Sequence, residues 1–154
     1  MSVTERLRTL QIELPSLSAP VANYIPYSIC GDLIYVSGQV PLVNGGLEGV
    51  TGKVGHDIDT QQAKKIARIC GLNIIAQVNE AVSGELDQVR CIKLGVFVNA
   101  TDDFTAHPEV ANGVSDLMVE VFAEKGKHAR FAVGAGSLPR GVAVEVDAIF
   151  AIEK

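Results

Sequence analysis

Two charged residues interrupt apolar, strand-like runs: Arg130 in His128-Ala129-Arg130-Phe131-Ala132-Val133-Gly134, and Glu145 in Val144-Glu145-Val146. A guanidinium presents a planar fork of donors that matches a carboxylate, and a carboxylate can accept or relay a proton. Buried and unpaired, either charge would cost about 3–5 kcal/mol, so each must meet an opposite charge or a ligand. Only Leu138-Pro139-Arg140-Gly141 and a few small residues separate the two runs. That spacing predicts a tight hairpin that brings Glu145 near Arg130 across the strand pair, or holds a water beside it. A structural ion pair and an anion site with an adjacent proton acceptor both fit the pattern.

His128, two residues before Arg130, adds a group that titrates at about pH 6.5 when unperturbed. His56 and His107 fall in loop segments, and no Cys or acidic residue stands near any histidine at metal-ligand spacing, so no metal site is expected. Gly134-Ala135-Gly136-Ser137-Leu138-Pro139 echoes a dinucleotide fingerprint but ends in a proline turn and a strand instead of opening a helix. Asp102-Asp103 stands where acidic residues favour a helix start.

The elements that must position these groups follow from periodicity. Thr4 is placed to cap a short helix carrying Leu7, Leu10 and Leu14 on one face, with Pro15 as its end. A hairpin of two strands lies between Val21 and Val43, its second strand stopping at Gly38, and a glycine-rich loop runs from Gly45 to His56. Asp59 or Thr60 starts a long helix with Ala63, Ile66, Ala67, Cys70, Ile74 and Val78 on one stripe, ended by Gly84. A strand over 89–98 follows. A second long helix has Pro108 in its first turn and Val110, Val114, Leu117, Met118, Val121 and Phe122 as its apolar side. Two strands close the chain, 129–135 and 142–152. In the second, Val142, Val144, Val146, Ala148 and Phe150 share one face, and Glu145, Asp147 and Ile149 the other.

The order ββαβαββ predicts an α+β fold, an antiparallel-rich sheet with both long helices on one face. The other face, mixing apolar residues with isolated charges, suits symmetric association between copies. A length of 154 residues with 47% apolar content suits one domain over 1–154, residues 1–15 forming an N-terminal helical extension. No apolar run nears the ~20 residues needed to cross a bilayer, and Met1 to Leu14 lacks a secretory pattern, so a cytoplasmic location without membrane contact is expected. Cys30, Cys70 and Cys91, an odd number in apolar settings, read as free buried thiols. A net charge of −5, scattered basic residues and no Trp argue against nucleic acid as a partner.

Ser37-Gly38-Gln39-Val40-Pro41, Asp103-Phe104, and Ala129-Arg130 followed by Leu138-Pro139 and Val144-Glu145-Val146 together resemble the RidA/YjgF family over about residues 20 to 152. Its members were once described as translation inhibitors and L-PSP endoribonucleases and are now regarded as enamine and imine deaminases. The resemblance implies a chorismate mutase-like trimer with a central barrel of sheets and a cleft between subunits. It implies that Arg130 binds a substrate carboxylate and that Glu145 positions the attacking water. A cleft tyrosine would be Tyr24, with Tyr27 close enough to compete for the role, and Ser37 would line the same pocket. His128 replaces the proline of the family's Pro-Ala-Arg motif, and Ala132 stands where many members have a cysteine whose backbone helps bind substrate. With the N-terminal helix and the glycine-rich loop, these departures mark a divergent branch.

The implied reaction is hydrolysis of a small 2-imino or 2-enamino acid to a 2-oxo acid and ammonia, which needs no metal or organic cofactor. A carboxylate-binding or regulatory trimer without turnover is the alternative, and RNA cleavage is disfavoured by charge and composition.

Overall fold

The computed structural model describes residues 1–17 and 22–154. After a short helix α1 (Val3–Thr9), the chain forms β1 (Tyr27–Cys30), β2 (Leu33–Gln39), α2 (Thr60–Ala81), β3 (Val89–Asn99), α3 (His107–Phe122), β4 (Ala129–Ala135) and β5 (Val144–Ile152). The ββαβαββ order expected from periodicity is present, as an α+β fold.

Local chemistry accounts for the ends of these elements. Asp59 caps α2, its carboxylate accepting from the Gln62 backbone N–H at 2.8 Å while the Gln62 side chain accepts from the Asp59 N–H at 3.0 Å. Pro108 lies in the first turn of α3, where its missing N–H has no helical partner to lose. Asp102 and Asp103 do not cap that helix: Ala106 is its N-cap, and Asp103 accepts from the Thr101 hydroxyl. Nor does Thr4 cap α1. Ser2 does so, in a reciprocal box with Glu5, and the helix stops at Thr9, six residues before Pro15. The box wins because Glu5 sits three residues after Ser2 and satisfies its N–H, a partner Thr4 lacks.

The five strands form one mixed sheet in the order β1-β2-β5-β3-β4. β5 is antiparallel to both β2 and β3, and β4 is parallel to β3. This overturns the expected β4–β5 hairpin. A strand, a helix and a strand in succession make a crossover unit, which sets β4 beside and parallel to β3. The turn Pro139–Gly141, with positive φ at Arg140 (58°) and Gly141 (71°), then leads the chain back into the gap between β2 and β3.

Both long helices cover one face of the sheet, α2 over β5 and β2, α3 over β3 and β4. Val144, Val146 and Phe150 of β5, Leu94, Val96 and Val98 of β3, and Ile34 of β2 are buried there. Where the helices cross, a side chain on Gly113 would strike the Lys64 carbonyl, so the close approach requires glycine. The glycine-rich segment is a loop as expected, yet Val50, Val54 and Ile58 pin it into the core. Cys70 and Cys91 are buried and Cys30 is exposed, contrary to the expectation of three buried thiols. Cys30 ends β1 at the hairpin turn, out of reach of the helix layer. Burial pushes the Cys70 thiol up strongly and the Cys91 thiol up to about 12, so both stay protonated. No helix among the described residues is long and apolar enough to cross a membrane.

Candidate functional site

Arg130 is the second residue of β4 and pairs in register with Leu94, which is fully buried on the helix-covered face. Its side chain therefore runs towards α3. Nη1 donates to Asn112 Oδ1 at 2.8 Å and to Ser115 Oγ at 3.0 Å, and Nη2 donates to the Pro108 carbonyl at 3.3 Å. All three acceptors are neutral. None of the ion pairs among the described residues includes Arg130. The guanidinium is fixed in direction with its charge uncompensated, which leaves it able to take an anion.

His128 reaches Arg130 only through Ser115. Its Nδ1 lies 2.6 Å from the Gly126 carbonyl, which can only accept, so Nδ1 carries the proton. In the neutral ring Nε2 is then the acceptor, 2.8 Å from Ser115 Oγ, and the serine hydroxyl points its hydrogen at the ring. Ser115 is thereby left with its lone pairs facing Arg130. Ala132, two residues on, packs partly against the core on the same face.

Glu145 lies elsewhere. It pairs with Phe97 and, through β3, stands in line with Val133, on the face the helices leave open. Two strand spacings and three residues along the strands put its Cα roughly 14 Å from that of Arg130, with the side chains on opposite faces. The ion pair across a hairpin is therefore absent, because β3 separates the two strands and the alternation sends the side chains apart. The Glu145 carboxylate instead sits against Gly38, where a Cβ would collide with Oε1. Burial first, and the neighbouring Asp147 second, push the Glu145 carboxyl above the usual carboxylate range.

Gly38 and Ser37 form one wall of a pocket of about 460 Å³ between the first hairpin, the segment Pro15–Leu17 and α2. Tyr24 lines it and is 56% exposed, whereas the Tyr27 hydroxyl turns to α2 and donates to Glu80 Oε1 at 3.4 Å. Ser37 Oγ donates to the Pro26 carbonyl at 2.9 Å, tying the end of β2 to the start of β1. The expected site residues thus fall into two groups, Arg130, His128 and Ala132 beside α3, and Glu145, Ser37 and Tyr24 around Gly38. Sequence reading missed Asn112 and Ser115, although they lie three residues apart and share a helix face with Pro108 four residues before Asn112.

The sequence matches a known family. The profile described as YjgF/chorismate mutase-like, putative endoribonuclease, matches residues 4–150. The chain belongs to the YjgF/RidA family. The chain is 45% identical over 150 residues to protein TCP17 of Trypanosoma cruzi, covering 96% of this chain and 92% of that one. It is 28% identical over 142 residues to a 2-iminobutanoate/2-iminopropanoate deaminase of Dermatophagoides farinae, covering 92% and 95%. Among solved structures, a protein of unknown function from Agrobacterium tumefaciens superposes with a TM-score of 0.90 at 44% identity, covering 99% of this chain and 94% of the other.

Proposed function

We propose that the protein is a cofactor-independent deaminase of small 2-imino and 2-enamino acids, working in a cleft between subunits of a trimer. The observation that carries this reading is Arg130, oriented by three neutral oxygens and without a counter-ion among the described residues. A carboxylate is the ligand such a fork fits best. The deaminase of Dermatophagoides farinae supplies the reaction class by family kinship.

A second chain is part of the proposal for a geometric reason. Arg130 and Glu145 occupy opposite faces of one sheet, so a ligand that touches both must meet them on different subunits. The open face, with Tyr35 and Val133 exposed beside Phe97, Phe131 and Ile149, supplies apolar surface for such packing.

In the proposed reaction the Arg130 fork holds the carboxylate and fixes C2 of the iminium. Glu145 of the neighbouring subunit takes a proton from water as its oxygen bonds to C2. That proton passes to the nitrogen, and Glu145, again ionised, takes the remaining hydroxyl proton as the C2–N bond breaks, the carbonyl forms and ammonia leaves. A carboxyl raised above its ordinary range is a better base for this step, since its affinity for the proton is closer to that of the groups it serves. Because the base must be ionised, the rate rises with pH through the raised Glu145 value and is lost below it.

Replacing Arg130 by Ala tests the assignment, with ammonia release from an imine generated in situ as the readout. Loss of hydrolysis in a folded, assembled variant is expected, and retained hydrolysis contradicts it. A binding protein without turnover is a second reading favoured by one feature, that Arg130 is oriented by α3 without any contribution from Glu145. Under that reading, Glu145→Gln changes nothing.

A further inference from the structure

Two amides stand one turn apart on the buried side of α2, Asn73 and Gln77, exposed by 8% and 6%. They are used differently. Asn73 Nδ2 donates to the carbonyls of Val40 at 3.3 Å and Leu42 at 3.1 Å, fastening the loop that follows β2. Gln77 makes no such clamp: its Oε1 is buried without a hydrogen-bond partner, the one side-chain atom in that condition among the described residues. A buried acceptor without a donor is a lasting cost to the fold, and a leucine at that position would not carry it.

Gln77 also forms part of the wall of the pocket that Ser37, Gly38 and Tyr24 line. Among the described residues no charged side chain lines that pocket, and its walls alternate apolar groups such as Leu17 and Leu42 with amides and hydroxyls. A charged tail would enter it without a counter-ion, and a purely apolar one would leave the Gln77 amide unsatisfied. The terminal torsion of a glutamine is soft, so an unheld carboxamide can turn its oxygen towards a donor in the pocket.

We propose that this pocket is a side-chain subsite in which Gln77 selects ligands whose tail is neutral and ends in a hydrogen-bond donor, as a carboxamide does. The inference rests on the deaminase reading for the 2-imino acid head of the ligand, and names the substrate class of that site. Gly38 is common to both: it lines the pocket, and the Glu145 carboxylate stands against it.

The probes are two stable 2-oxo acids of nearly equal shape, 2-oxosuccinamate and 4-methyl-2-oxopentanoate, titrated by calorimetry into the wild-type protein and Gln77→Leu. The wild type binds the carboxamide roughly tenfold tighter than its apolar isostere, and Gln77→Leu levels or reverses the order. Pyruvate, which has no tail to reach the subsite, binds both proteins alike. The variant keeps or raises the thermal midpoint, because it removes an unpaired buried amide. Equal affinities in the wild type, or a preference that survives Gln77→Leu, overturns the subsite.

If neither 2-oxo acid binds, the carboxylate reading has failed and the subsite is read alone with propanamide, which has no carboxylate. Chemical-shift changes at the Gln77 side-chain amide then sustain it, and their absence overturns it.

Discussion

The Arg130 cluster and the Glu145 patch are built by opposite electrostatic means. Around Arg130, α3 offers carbonyl, amide and hydroxyl oxygens that orient the cation without neutralising it. Around Glu145, partial burial and Asp147 two residues away both disfavour the anion. One half is a charge prepared for an opposite charge, and the other is a carboxylate whose affinity for a proton is raised. A single ion pair between them, as the sequence spacing suggested, would have cancelled both properties. The separation by one strand and one sheet face is what keeps each half reactive.

The sharpest way to break this comparison is to remove one half at a time. Arg130→Ala deletes two charge-assisted contacts to the ligand, and kcat/KM is expected to fall by roughly a thousandfold. Glu145→Gln keeps the shape and removes the base, so kcat falls by roughly a hundredfold while 2-oxo acid affinity stays nearly unchanged. The pH profile of the wild type should show an acid limb above the ordinary carboxylate range, and that limb should vanish from whatever activity Glu145→Gln retains. A smaller effect sharpens the role of the neutral cradle. Asn112→Asp supplies Arg130 with the counter-ion it lacks, and carboxylate affinity measured by calorimetry is expected to drop by about tenfold. If affinity is unmoved, neutrality of the cradle is irrelevant to anion binding.

Much of the fold was legible because it is written in short-range periodicity. The stripe from Ala63 to Val78 and the alternation from Val142 to Phe150 specify a helix and a half-buried strand without reference to anything distant. Strand order is not local in that sense. Leu138 to Gly141 looks like a hairpin turn, and only the strand-helix-strand order of β3, α3 and β4 signals that β4 must run parallel to β3 and leave β5 elsewhere. The candidate site inherited that error, since Arg130 and Glu145 were each singled out for their chemistry but joined through the wrong strand pair. Asn112 and Ser115 went unnoticed because polar residues on a helix usually face water, and here the edge strand places a guanidinium beside them. The cap of α1 was misplaced by two residues, where Ser2 and Glu5 compete better than Thr4.

The central claim is that Arg130 of one subunit works with Glu145 of another, and mixing the two inactive variants tests it most directly. In oligomers assembled from equal amounts of Arg130→Ala and Glu145→Gln, a cleft between chains can draw its arginine from one variant and its glutamate from the other. Random assembly then restores roughly a quarter of the wild-type imine hydrolysis, far above the residual activity of either variant alone. If every site were built within one chain, no mixture would regain activity, and a mixture that stays as inactive as its parents after verified subunit exchange contradicts the account.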